Sequence, residues 1–152
     1  GYDWQLVFTG ALTDSRPLLW AAAAQMGLQQ RVHFLGYVTD AQKAAICKDC
    51  YCLVMPGLQE TLGLPLLEAM TFGRPIVCSD NGGLPGLAGD AALYFDPRKP
   101  FELVAALQRL ATEPGLYAQL QQRGQARLGE FSPQRLTDAY IGLFRQEGKQ
   151  QA

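Results

Sequence analysis

The chain is poor in the residues that make metal centres and cationic surfaces. Among its 152 residues there is one histidine, His33, and the net charge is −1, with 13 Lys and Arg scattered against 14 Asp and Glu. Binding that rests on phosphate neutralisation needs a basic stripe, so nucleic acid is excluded as the main partner of this segment, as is an anionic membrane surface. No apolar run approaches the ~18 residues that cross a bilayer. No charged-then-apolar leader opens the chain, so no secretory signal is expected, and the segment carries no sign of membrane association either way. The four cysteines are equally uninformative about metal. Cys47, Cys50 and Cys52 form C-x2-C-x-C and Cys78 stands alone, whereas a zinc ribbon wants a second close pair. Small reduced hydrophobes are the expected role, and unpaired thiols without a leader point to a cytoplasmic protein. Trp4 and Trp20 are expected to pack.

What the chain has is apolar content, 48% of residues, arranged as short runs alternating with helical patterns. Strands are expected at Gln5–Gly10, Arg31–Gly36, Tyr51–Met55, Pro75–Ser79 and Ala91–Phe95. Between them, helices are expected over Asp14–Met26, closed by Gly27, from Thr39 or Asp40 to Lys48, and from Pro65 to Phe72. Runs this apolar, separated by helices, imply an α/β fold with a doubly wound parallel sheet. The last third is helical. Pro100 opens a helix with Phe101, Val104, Leu107 and Ala111 as its apolar stripe. Glu113-Pro114-Gly115 breaks it, a second helix runs to Leu128, and a third from Ser132-Pro133 carries Leu136, Ala139, Tyr140, Leu143 and Phe144. From Gly148 onward the chain is expected to fray.

The stretch Glu60-Thr-Leu-Gly-Leu-Pro-Leu-Leu-Glu68 carries the chemistry. A loop feeding a helix offers unpaired N–H groups to an anion. Two carboxylates beside it suit a ligand that also has hydroxyls, because a carboxylate accepts sugar O–H groups strongly. Glu68, placed in the first turn after Pro65, is also favoured there by the helix dipole. Ligands of open parallel sheets sit outside the carboxyl ends of the strands. The loops at that rim are the Gly10 turn, Gly36–Asp40, Pro56–Leu64 and Ser79–Gly83. Gly82 and Gly83 let backbone approach a bound group closely.

These residues resemble a known family. Glu60 to Glu68 is similar to the E-x7-E motif of retaining glycosyltransferases with the GT-B fold, most nearly family 4. Leu35-Gly36-Tyr-Val38, Met55-Pro56, Gly63-Leu-Pro65, Leu67-Glu-Ala-Met70, Gly73-Arg-Pro75, Gly82-Gly-Leu-Pro85, Gly89-Asp-Ala91 and Phe95-Asp-Pro97 follow in the family's order and spacing. The resemblance implies a Rossmann-like C-terminal half of such an enzyme, with residues 1–148 as the donor-binding domain and 149–152 as a tail. It implies that Glu68 accepts hydrogen bonds from the ribose of a nucleotide-diphosphate sugar. Glu60, as the catalytic residue, faces the transferred sugar near its reacting carbon. Thr61 and the amides of Leu62, Gly63 and Leu64 lie against the sugar and diphosphate, with Gly82 and Gly83 close by. Tyr37 and Val38 bracket the base, with Asp40 and Lys43 near it. The implied transfer retains anomeric configuration and uses no metal and no cofactor beyond the sugar donor.

Two departures stand out. The family's Glu-Gly-Phe-Gly is here Glu60-Thr-Leu-Gly63, and a bulkier Thr61 narrows the sugar site. The acidic residue that follows Gly-Gly-x-Pro is here Gly86. The resemblance also implies that a first strand–helix unit, its basic diphosphate-binding segment and an N-terminal acceptor-binding domain belong to sequence upstream, so that the 152 residues alone are inactive. A non-catalytic nucleotide- or sugar-binding module is the alternative reading. A sugar-nucleotide epimerase of like architecture is a third, disfavoured by the E-x7-E spacing.

Overall fold

Among the described residues, every strand pair is parallel, as expected for strands joined by helices. The computed structural model describes residues 2–11, 15–60 and 63–131, which fall into two compact units, Gly1–Ala45 and Ile46–Ala152.

The first unit contains β1 (Leu6–Thr9), α1 (Arg16–Gln25), β2 (Val32–Gly36) and the start of α2 (Asp40–Asp49). Leu6 lies opposite Val32 and Phe8 opposite Phe34, and the Phe8 and Phe34 rings stack at 4.9 Å. After Phe8 the register slips, pairing Thr9 with Gly36, and Gly10 N–H reaches Gly36 O at 2.8 Å. Arg16 lays its guanidinium 5.7 Å from the Phe34 centroid. His33 shares a 2.8 Å hydrogen bond with the Gln5 side chain. Thr39 and Gln42 form a reciprocal capping box. Gln42 N–H donates to Thr39 Oγ1 at 3.3 Å, and Thr39 N–H donates to Gln42 Oε1 at 2.9 Å. Thr39 is therefore the residue that starts α2. Trp4 stacks on Tyr2 at 4.4 Å. Trp20 is 52% exposed, against the expectation that it packs, because α1 buries only Ala23.

In the second unit follow β3 (Leu53–Met55), α3 (Leu64–Thr71), β4 (Ile76–Ser79), α4 (Leu84–Ala88), β5 (Ala92–Phe95), α5 (Pro100–Thr112) and α6 (Leu116–Leu128). The sheet order is β3-β4-β5. Side chains alternate across a strand with period two, and here the alternation splits the interior in two. Ile76 and Cys78 of β4, with Leu53 and Met55 of β3 and Ala92 and Tyr94 of β5, pack against Leu66, Ala69 and Met70 of α3 and Leu84 and Ala88 of α4. Val77, with Val54, Leu93 and Phe95, packs on the other side against Ala106 and Leu110 of α5 and Leu120 of α6. A sheet covered by helices on both faces is the doubly wound arrangement that the apolar runs imply.

Two expectations need correction. The buried stripe of α5 is Leu103, Ala106, Leu107 and Leu110, while Phe101 is 67% and Val104 53% exposed. Both stripes have helical spacing, and the one with three leucines is the one that packs against Val77, Leu93 and Phe95 of the sheet. The short helix α4 had no counterpart among the expected elements. Its signal is nonetheless present, since Gly83-Leu84-Pro85 repeats the Gly63-Leu64-Pro65 start of α3, with proline in the first turn both times. The expected helix from Ser132 and the frayed end from Gly148 lie outside the described residues.

Burial pushes the thiols of Cys52 and Cys78 up to about 12, and proximity to Cys50 adds to the effect at Cys52. The Cys50 thiol is also raised, first by burial and then by Cys47. Only a thiolate is a nucleophile, so iodoacetamide at pH 8 is expected to leave Cys52 and Cys78 unmodified in the folded chain and to label both in urea. Peptide mass mapping reads the outcome, and fast labelling of Cys78 without denaturant would contradict the buried placement.

Candidate functional site

The loops after β3 and β4 interlock at the carboxyl ends of those strands. Ser79, the last residue of β4, is fully buried and donates its hydroxyl to Gly57 O at 2.7 Å. Two residues on, Asn81 Nδ2 reaches Leu58 O at 3.5 Å, and Gly83 N–H donates to Glu60 O at 3.0 Å. The β4–α4 loop thus lies along the β3–α3 loop and holds it by three successive links. Gly82 sits between them with φ +64°, and a Cβ there would stand 2.3 Å from Glu60 O. Gly82 is thus required by the protein's own backbone, at the carbonyl of the residue singled out for chemistry.

Glu60 is half-buried. Among the described residues its carboxylate takes one hydrogen bond, a long one of 3.5 Å from Gly63 N–H, of the roughly four that two carboxylate oxygens can accept. Among the described residues, its other acceptor positions are open to hydroxyl donors. Gly63 is buried and left-handed, with φ +60°, and a Cβ would press within 2.8 Å of Leu84 Cδ2. That turn starts α3 at Leu64, with Leu66 N–H closing on Gly63 O at 2.9 Å. Leu64 itself is exposed. Because α3 begins before Pro65, Glu68 falls in its second turn and not its first. The helix dipole fades within one turn, so it no longer accounts for an acid at Glu68, which is half-buried on the helix that Glu60's loop enters.

The structure thus brings Glu60, Gly63, Gly82 and Gly83 together around one stretch of backbone, with Glu68 further along α3. Thr61 and Leu62 lie outside the described residues. Tyr37 and Val38 follow β2 in the first unit; Tyr37 is 86% exposed and Val38 half-buried. Nearby, Asp40 and Lys43 pair at 3.7 Å. Among the described residues, no group of three His, Cys, Asp or Glu side chains could hold a metal ion.

Sequence reasoning missed the far end of α4. Its terminal carbonyls have no partners within so short a helix, and three side-chain donors take them. Arg127 of α6 donates from Nη2 to Gly86 O at 2.6 Å and from Nε to Leu87 O at 3.0 Å. Tyr94 of β5 donates its hydroxyl to Gly89 O at 2.5 Å. Burial, with Cys78 beside it, pushes the Tyr94 phenol up to about 12, which keeps it a donor through the neutral range. No local spacing links Arg127 to Gly86, 41 residues away.

Residues 1–127 match the family model described as Glycosyl transferases group 1. The chain belongs to that family. It is 29% identical over 140 residues to the O-antigen chain mannosyltransferase B of Escherichia coli, covering 92% of this chain and 37% of that protein. Sucrose-phosphate synthase from Thermosynechococcus elongatus superposes with a TM-score of 0.79 at 25% identity, over 95% of this chain and 39% of the synthase. Anabaena HepE, solved in complex with UDP-glucose, superposes at 0.73 with 22% identity, over 83% and 36% respectively. The fold is that of the GT-B glycosyltransferases. This member spans less than two fifths of the length of each of these three relatives.

Gly82→Ala is expected to destabilise the chain by about 2 kcal/mol or more, combining a left-handed φ with a backbone clash. Asn81→Ala, which removes only a 3.5 Å contact, is expected to cost about 0.5 kcal/mol or less. Urea unfolding monitored by fluorescence separates the two, and equal midpoints would contradict the interlock.

Proposed function

We propose that this glycosyltransferase chain is the donor-binding part of a retaining enzyme that moves a hexose from a nucleotide-diphosphate sugar to an acceptor. The observation that carries this reading is the Glu60 loop. A carboxylate with spare acceptor capacity is held at the carboxyl rim of a doubly wound sheet, eight residues before a second carboxylate on the helix that follows. The rim is where such sheets bind ligands. The spacing is that of the family's E-x7-E motif. HepE, a protein of the same fold, was solved with UDP-glucose.

In this reading Glu68 accepts from the ribose hydroxyls and Glu60 from the hydroxyls of the transferred sugar, as the catalytic group nearest the anomeric carbon. The amides from Thr61 to Leu64 run along sugar and diphosphate, Gly82 and Gly83 shape the wall opposite, and Tyr37 and Val38 bracket the base. Transfer proceeds with retention through an oxocarbenium-like state, in which the leaving diphosphate needs positive stabilisation. The chain's own contribution is to bind and orient the donor, without metal and with no cofactor besides it. Basic groups at the diphosphate and the whole acceptor site belong to the remainder of the enzyme, which works in the cytoplasm. The 152 residues alone do not turn over.

Calorimetric titration with UDP, GDP and ADP tests the ribose contact. Replacing Glu68 by alanine removes charge-assisted hydrogen bonds worth about 1.5–3 kcal/mol, a loss of roughly 10- to 150-fold in affinity. Equal affinity of the wild type and Glu68→Ala for the preferred nucleotide would refute the assignment. Sugar transfer catalysed by the isolated chain would refute the division of labour.

A further inference from the structure

Arg127 stands on the last turn of α6, on the opposite end of α4 from the Glu60 loop. Its guanidinium bonds Gly86 O and Leu87 O, pairs through Nη1 with Glu130, and lies 5.0 Å from the Phe131 ring centroid. It also packs over Gly89, where a Cβ would stand 3.5 Å from Nε. One planar cation is thus fixed from four directions, and it holds two adjacent carbonyls of a five-residue helix. So short a helix has too few internal hydrogen bonds to set its own position. Its ends set it. At the other end, Gly83 N–H holds Glu60 O, and Leu84 fills the space under Gly63 that any larger residue would need.

We infer that Arg127 is a positioning residue for Glu60, acting through α4 as a strut between α6 and the donor loop. The inference rests on the donor-binding reading above. Among the described residues Arg127 bonds Gly86, Leu87 and Glu130; its effect reaches Glu60 through Gly83 and Leu84, whereas Glu68 is carried by α3. Loosening the strut therefore moves the sugar-facing carboxylate and spares the ribose-facing one. The planar fork matters, because a lysine ammonium carries its three donors on one nitrogen and does not reproduce the paired geometry of Nε and Nη2.

The test compares UDP with UDP-glucose, GDP with GDP-mannose and ADP with ADP-glucose, titrated into the wild type, Arg127→Ala and Arg127→Lys below their unfolding temperatures. For the pair that binds, the ratio of nucleotide-sugar Kd to nucleotide Kd is expected to rise about tenfold in Arg127→Ala, since a small displacement of a positioned group is costly. The bare-nucleotide Kd is expected to change less than about twofold, and Arg127→Lys to recover part of the ratio. If Arg127→Ala does not fold, a folded Arg127→Lys with a raised ratio carries the inference. A lowered melting temperature with an unchanged ratio, or equal loss of nucleotide and nucleotide-sugar, overturns it and leaves Arg127 a stability residue. Failure of the wild type to bind any pair overturns the donor reading, a different result from an unchanged ratio, and takes the inference down with it.

Discussion

The second unit depends on one constraint, the removal of β4 from water on both faces. Ile76, Val77, Cys78 and Ser79 are all buried. Fully burying side chains of this kind contributes roughly 1.5–3 kcal/mol each for the aliphatic ones. It also commits each face to its own set of helices, since Ile76 and Cys78 meet α3 and α4 while Val77 meets α5 and α6. The loops at the end of β4 inherit that rigidity. Ser79 is the one buried polar side chain of the described core, and it is satisfied by a carbonyl of the neighbouring loop. A buried hydroxyl without a partner costs free energy, so the need to pair Ser79 helps dictate where the Glu60 loop lies.

From that seam the site is built by backbone more than by side chains. Gly82 and Gly63 are both left-handed and both crowded, the first by the carbonyl of Glu60 and the second by Leu84 and Leu87. Their lack of a Cβ lets two loops and two helix starts converge on a small volume. The pair Gly82-Gly83 implies room for a bound group. Part of that room is taken by the protein itself, which is how a flexible residue type ends up in a fixed position.

Much of this was legible beforehand, for identifiable reasons. Strands β1 to β5 announce themselves as short apolar runs bounded by glycine or proline, and in β3, β4 and β5 that continuity reflects cover on both faces. The helix starts at Thr39 and Pro100, and to within a residue the one at Pro65, follow from capping and proline chemistry. The E-x7-E spacing marked Glu60 and Glu68. The α5 stripe was misread because two stripes of helical spacing coexist on that helix, and only the facing sheet selects between them. Glu68 falls just beyond the first turn, not within it, because Gly63, left-handed, starts α3 a residue before Pro65. Helix α4 was missed because five residues are too few to show a period, although its Gly-Leu-Pro start was in plain view.

The sequence by itself determined the family, the alternation of strand and helix, and the residue types at the rim, because these rest on local pattern and ordered spacing. Tertiary structure alone decided which loops touch. That Gly82 answers to the Glu60 carbonyl, that Ser79 pairs with Gly57, and that Arg127 closes the far end of a helix 41 residues earlier are facts of packing. Hydrogen bonds across such separations depend on where whole elements dock, and no local spacing encodes that.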